Sequence, residues 1–219
     1  MTAHCCPPAA VSSAASPAYR RVLWIALAAN ALMFALEAGA GALAGSAALL
    51  ADAADFFGDA LNYAASLAAL AAGGLWLSRV ALLKGLAMGG YGIGVIALTG
   101  WNAWRGVLPE PLTMGAVGVL ALAVNIGVAI LLYRFRDGDA NMRSVWLCTR
   151  NDAIGNLAVL AAALGVFSTG TAWPDWIVAA LMAALALHAS ATVIRAARRE
   201  LRPAHADRHA GAPNAAPAP

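Results

Sequence analysis

An all-α membrane protein of six transmembrane helices, with both termini in the cytoplasm, is the fold class this sequence predicts. Three observations carry it. Of 219 residues, 62% are hydrophobic and only 11% charged, with a mean hydropathy of +0.71; a soluble domain is about 45–50% apolar and about 25% charged. Six apolar runs each exceed the roughly 20 residues that cross a hydrocarbon core. All but two of the 14 Lys and Arg residues fall on one face of the topology those runs define. The net charge of +3 and the pI near 9.0 therefore report orientation, and no nucleic-acid partner is implied. Three cysteines, two of them adjacent, make no disulfide framework.

Residues 1–19 read as a flexible N-terminal tail, with Pro and Ser and no periodicity. The membrane domain covers 20–199. Its first helix spans about 22–43, behind Arg20 and Arg21. This run is too long for a signal peptide, and a second span follows at once. A turn at Gly45-Ser46 leads to helix 2, about 47–76. Helix 3 runs about 80–101, helix 4 about 112–133, helix 5 about 143–168 and helix 6 about 174–196. Trp24, Trp76, Trp101, Trp104, Tyr133, Trp146, Trp173 and Trp176 fall near span ends, where interfacial aromatics gather. Residues 200–219, rich in Ala, Pro and Arg, form a disordered C-terminal tail.

Six spans put both termini on one side, and the basic residues choose it. Arg20 and Arg21 precede helix 1, Arg79 and Lys84 fall to the 2–3 connection, and Arg134, Arg136 and Arg143 to the 4–5 connection. Arg195, Arg198, Arg199, Arg202 and Arg208 follow helix 6. Positive-inside bias places that face in the cytoplasm. Small-residue spacings at Gly41/Gly45, Gly85/Gly89 and Gly90/Gly94 suit close helix contact or a dimer face, although any one pair arises by chance in an Ala- and Gly-rich chain.

Acids at membrane depth carry the chemistry. A charged residue at a helix centre costs about 2.5–3.5 kcal/mol on insertion scales, so a chain that keeps several faces them inward and uses them. In helix 2, Asp52, Asp55 and Asp59 share a face at i, i+3 and i+7. A structural polar cluster is the bland alternative, but helix 2 holds no basic partner. In helix 5, Cys148 and Asp152 stand one turn apart, and Asn156 extends the face by another. Cys148 alone reads as a small buried hydrophobe rather than a ligand, and its register with Asp152 brings the two readings level. Two facing pairs, Asp55 with Asp59 and Cys148 with Asp152, offer the four groups a tetrahedral divalent metal takes. Asp52, Glu37 in helix 1, Arg150 and Asn156 are accessory candidates. Arg150 points to the face opposite Cys148 and Asp152, where an ion pair with a neighbouring helix or snorkelling competes with a role in tuning the site. Glu37 is its candidate partner, a proton relay or a structural acid. Asn30, Asn62 and Asn125 read as interhelical hydrogen-bond groups, and His188 as a helix-packing residue. His4, Cys5 and Cys6 form a soft-metal trio in the mobile tail, where chance is the simpler explanation.

Several acids around one point in a low dielectric cannot all ionise, and a divalent cation displaces their protons. Alternating access to such a site exchanges metal for protons. Carboxylates suit Mg, Mn or Fe; a thiolate shifts preference to Zn or Cd.

These residues also carry a family resemblance. SAALLADAADFFGDAL in helix 2 resembles the second-helix signature of the cation diffusion facilitators, and NMRSVWLCTRNDAIGN resembles their fifth-helix segment, with Cys148–Asp152 standing where that family usually has HxxxD. The resemblance covers about 20–196. It implies a transport site at Asp55, Asp59, Cys148 and Asp152 in a short family form without the usual cytoplasmic ferredoxin-like domain. The implied activity is proton-driven efflux of divalent metal, with Zn or Cd as cargo and no cofactor. The expectation is then a non-enzymatic integral protein of the bacterial cytoplasmic (inner) membrane. Its partners are the metal ion, protons and the lipid bilayer, with a homodimer as the candidate assembly. Two rival readings are the same fold exporting Fe, Mn, Co or Ni, and a membrane metal sensor that does not transport.

Overall fold

The computed structural model describes residues 16–69, 75–135 and 140–201, without the side chains of 69, 75–78, 140–148, 150, 151 and 200. Six helices make up this set: α1 (Pro17–Ala44), α2 (Ala47–Ala69), α3 (Leu75–Arg105), α4 (Pro111–Tyr133), α5 (Ala140–Thr169) and α6 (Trp173–Leu201). No strand occurs among the described residues. Five helices are long and apolar enough to cross a membrane: α1, α3 from Arg79, α4, α5 from Asp152, and α6. At about 1.5 Å per residue, α2 is long enough as well, but its acids set it apart.

Local chemistry explains the ends. Ser16 caps α1, its hydroxyl accepting from the Tyr19 N–H at 3.3 Å, and Pro17 takes the first helical position. Gly45 ends α1 in the left-handed conformation, φ 67°, and its N–H bonds to Gly41 O, a geometry glycine adopts without penalty. Pro111 likewise opens α4, where Glu110 caps Leu112 N–H at 3.0 Å and Thr113 N–H at 2.6 Å. The hydrogen bonds to Thr113 hold the exposed Glu110 carboxyl below its ordinary range.

The sequence boundary of helix 2 is corrected here. Its described part reaches Ala69, and Trp76 belongs to α3. The apolar run from 64 to 76 has no hydropathy break; its only punctuation is Gly73-Gly74, a pair of poor helix formers. Arg79 and Lys84 consequently leave the 2–3 connection and lie within α3.

Helices pack as α1 on α2, α3 on α6 and α4 on α5, and α2 runs through the middle against α1, α3, α5 and α6. Small residues permit the close approaches. A Cβ at Gly85 would stand 2.7 Å from Ile194 Cγ1, and one at Gly89 would stand 2.6 Å from Ser190 Oγ. Ser190 Oγ donates to Gly85 O at 2.6 Å. The Gly85/Gly89 spacing is thus a contact face for α6, whereas Gly90 and Gly94 have no neighbour within 4 Å.

Apolar clusters hold both ends of the bundle. One gathers Tyr19, Leu23, Tyr63, Val128 and Leu132; the other gathers Leu49, Met114, Val159, Ala163 and Val166. Between them lies a buried polar layer that includes Asn30, Glu37, Asp52, Asn125 and Asn156. Outward residues such as Leu43, Ile130, Leu164 and Phe167 are exposed, as lipid-facing side chains are. His188 is also exposed rather than packed between helices. Asn30 turns to its own helix, Nδ2 donating to Ala26 O at 2.9 Å, so it makes no interhelical bond there.

The height of α2 is set by α6. Asp175, fully buried in the first turn of α6, accepts from Ser46 Oγ at 2.6 Å, Ala47 N–H at 2.9 Å and Ala48 N–H at 3.0 Å. Ser46 Oγ in turn accepts from Leu49 N–H at 3.1 Å. The first N–H groups of a helix have no internal partner and carry its positive dipole end. An anion from a neighbouring helix satisfies them and staples α2 to α6.

Candidate metal centre

The α2 periodicity turns Asp52, Asp55 and Asp59 into the bundle, and the register of α5 brings Asp152 and Asn156 to meet them. The structure divides these groups into two clusters. In the first, Asp152 lies within hydrogen-bonding reach of both Asp55 and Asp59. Asp59 is buried, while Asp55 and Asp152 are half-buried. Oδ2 of Asp152 is a buried oxygen with no hydrogen-bond donor among the described residues. Carboxylates in contact share only lone pairs, so a proton or a metal ion must supply the missing positive charge.

Surrounding groups orient Asp59. The Tyr63 hydroxyl, one turn on, donates to Asp59 Oδ2 at 3.4 Å and meets Thr149 Oγ1 of α5 at 2.6 Å. Asn62 reaches Asp59 as well, and its Oδ1 accepts from Lys84 Nζ of α3. Lys84 is buried, and its charge is felt at both Asp55 and Asp59. It was assigned above to a loop; it belongs beside the acids. A lone Lys inside the apolar run VALLKGLAMGG was the available signal, since an ionisable residue at that depth needs a partner. Tyr63 and Thr149 carried no comparable signal, because hydroxyls are common in membrane helices.

The second cluster holds the accessory candidates. Asp52 Oδ2 accepts from Asn156 Nδ2 at 2.7 Å, and Asn156 Oδ1 accepts from Asn125 Nδ2 of α4 at 2.8 Å. Glu37 of α1 faces Asp52 carboxyl to carboxyl. Both Glu37 oxygens and Asp52 Oδ1 are buried without a donor among the described residues. Asn156 therefore serves Asp52 and stands apart from Asp55 and Asp59.

Cys148 and Arg150 are on α5, but their side chains lie outside the described residues, as do His4, Cys5 and Cys6. Among the described residues, no three His, Cys, Asp or Glu side chains already stand together so as to hold a metal ion.

No curated protein matches the chain significantly in sequence. The family defined by the Cation efflux transmembrane domain matches residues 23–202, from within α1 to just past α6 and across both acid clusters. The chain belongs to this cation efflux family, the cation diffusion facilitators, whose members carry metal cations across membranes.

Proposed function

We propose that this efflux protein exchanges cytoplasmic divalent metal, Zn or Cd first, for protons at Asp55, Asp59, Cys148 and Asp152. One observation carries the reading: Asp152 of α5 reaches two carboxyls of α2 across a buried helix contact, and its buried Oδ2 has no donor among the described residues. In this reading α2 is the sixth span and both termini are cytoplasmic, as the basic residues indicate. Metal binding draws the three carboxyls together, because a dication cancels the repulsion that keeps them pairwise. Cys148, one turn before Asp152, completes the set and supplies the soft donor. Arriving metal favours the ionised acids and expels their protons; arriving protons reverse this. Lys84 partly offsets the negative charge when metal is gone.

A harder cargo, Fe or Mn, is the second reading, favoured by the all-carboxylate character of the described members of the site. The test is metal flux into proteoliposomes under an imposed pH gradient, over Zn, Cd, Fe, Mn, Co and Ni. Flux of Zn and Cd that rises with an opposing proton gradient supports the proposal. Flux of Fe or Mn alone selects the second reading, and binding without flux makes the protein a sensor.

A further inference from the structure

Glu37 and Asp52 lie outside the proposed metal set and form a second carboxyl pair among the described residues. Glu37 is fully buried, and neither of its oxygens has a donor among the described residues. Asp52 is equally buried; its Oδ2 takes the Asn156 amide at 2.7 Å, while Oδ1 has no donor. The two carboxyls face each other across the α1–α2 contact. Two ionised carboxylates at that range would repel and drive α1 from α2. One proton between them gives an O–H···O⁻ bond, which is short and strong. A metal ion fits less well: among the described residues two carboxyls converge, and the amides of Asn156 and Asn125 are engaged with Asp52 and with each other.

We propose that Glu37 and Asp52 share a single proton in the metal-free protein and release it when metal binds at the adjacent Asp55–Asp59–Asp152 cluster. The pair is then a proton-carrying site distinct from the metal ligands. The step balances: Glu–CO₂H···⁻O₂C–Asp becomes two carboxylates and a proton leaves to water, with no change of oxidation state. The arriving dication supplies the driving charge through Asp55, one turn along α2 from Asp52. The charged and titratable groups around the pair are Asp55 on α2 and Tyr91 on α3. Beyond them are Lys84 on α3 and Asp152 on α5, which face Asp55 and Asp59, and Asp175 on α6, which is engaged with Ser46. From α5 the pair meets the amide of Asn156, which is held in turn by Asn125 of α4.

This inference rests on the exchange reading, and the test separates the two. Protons released per Zn bound are counted for the full chain in lipid nanodiscs, in weak buffer with a pH indicator. Glu37→Gln and Asp52→Asn each replace the shared proton with an amide N–H, which preserves the contact. Each variant should release about one proton fewer per metal than the parent, with metal stoichiometry unchanged. The double variant should also lose about one, because the pair holds one proton in total. Either single variant suffices if the other fails to fold. An unchanged proton count overturns the inference and leaves the exchange reading intact. A loss of two in the double variant shows independent acids, and a loss of metal stoichiometry shows ligands; each overturns the shared proton. A parent that releases no protons overturns both.

Discussion

Asp175 and the acids of α2 and α1 are the same chemistry in opposite circumstances. Asp175 is fully buried and accepts three hydrogen bonds, from one hydroxyl and two helix N–H groups. Glu37 is just as buried and accepts none, and Asp52 and Asp152 each keep an oxygen without a donor. Burial alone does not distinguish them; the supply of donors does. An acid whose lone pairs are filled by protein donors holds structure together. An acid that faces other acids is incomplete until a cation arrives, and the protein tolerates that cost where the cation is its business.

Substitution tests that distinction most sharply. Asp59→Asn and Asp152→Asn should each abolish metal flux while leaving membrane expression near the parent level, because a neutral amide is cheaper to bury than an ionised acid. Asp175→Ala should do the reverse. It strips the α2 N-terminus of an anion and three charge-assisted bonds, a loss of roughly 3–5 kcal/mol for a broken buried network, and should lower folded yield and thermal stability. Flux assays beside detergent-melting curves read both. Full flux by both Asn variants would remove the shared-site mechanism, and normal stability of Asp175→Ala would remove the staple.

The proposed thiol ligand gives the next effect. Cys148→Ser should weaken Cd binding more than Zn binding, by about tenfold or more, because the lost donor is the soft one. Cys148→His should keep Zn transport. Equal Cd affinity in the Ser variant would return Cys148 to the role of a small packing residue.

A smaller effect belongs to Lys84. Replacing it with Gln removes the positive charge near Asp55 and Asp59 while retaining a donor for Asn62. At an effective dielectric near 20, a charge roughly 10 Å away is worth about 1–2 kcal/mol. Metal should therefore bind roughly 5–30-fold more tightly and leave more slowly, so that flux falls although affinity rises. A weaker Kd in this variant would show that Lys84 holds the acids in place rather than opposing the metal.

How much of this was legible depends on whether the signal was local. Spans are written in hydropathy. The acid register of α2 is written in a spacing of three and four, which placed Asp55 and Asp59 on the face that meets Asp152. Pairings between distant helices are not written that way. Nothing near Asp175 announces that α6 will start beside Ser46, 129 residues earlier in the chain. Asn156 shares a face with Asp152 and so looked like a fifth member of one site. The α4 contact through Asn125 and the proximity of Asp52 draw it into the second cluster. A basic residue near a span end reads as a connection cation, so Lys84 was counted there although it falls inside the 80–101 run; its contact with Asn62 is what turns it inward.

The gentlest probe lies outside the membrane-spanning segments, at Glu110, and separates capping from binding in one residue. Its carboxylate accepts the Leu112 and Thr113 N–H groups at the start of α4, and the bonds to Thr113 hold its pKa below the ordinary 4.5. A lowered folded pKa means that the stabilisation is present above the unfolded value. It is lost as pH falls through 4.5 toward the folded value. Glu110 is exposed and lines a cavity of about 500 Å³ together with Gly41, Leu50, Leu98 and Asn102, a position that also suits a residue on a metal route. A cap and a metal ligand respond differently. If Glu110 is only a cap, Glu110→Asp or Glu110→Asn should preserve flux and the acid dependence of stability should vanish in the Asn variant. The melting temperature should fall slightly at neutral pH and not at all below the titration window. Loss of flux in Glu110→Asn at unchanged stability would instead place the residue among the acids that meet the cation.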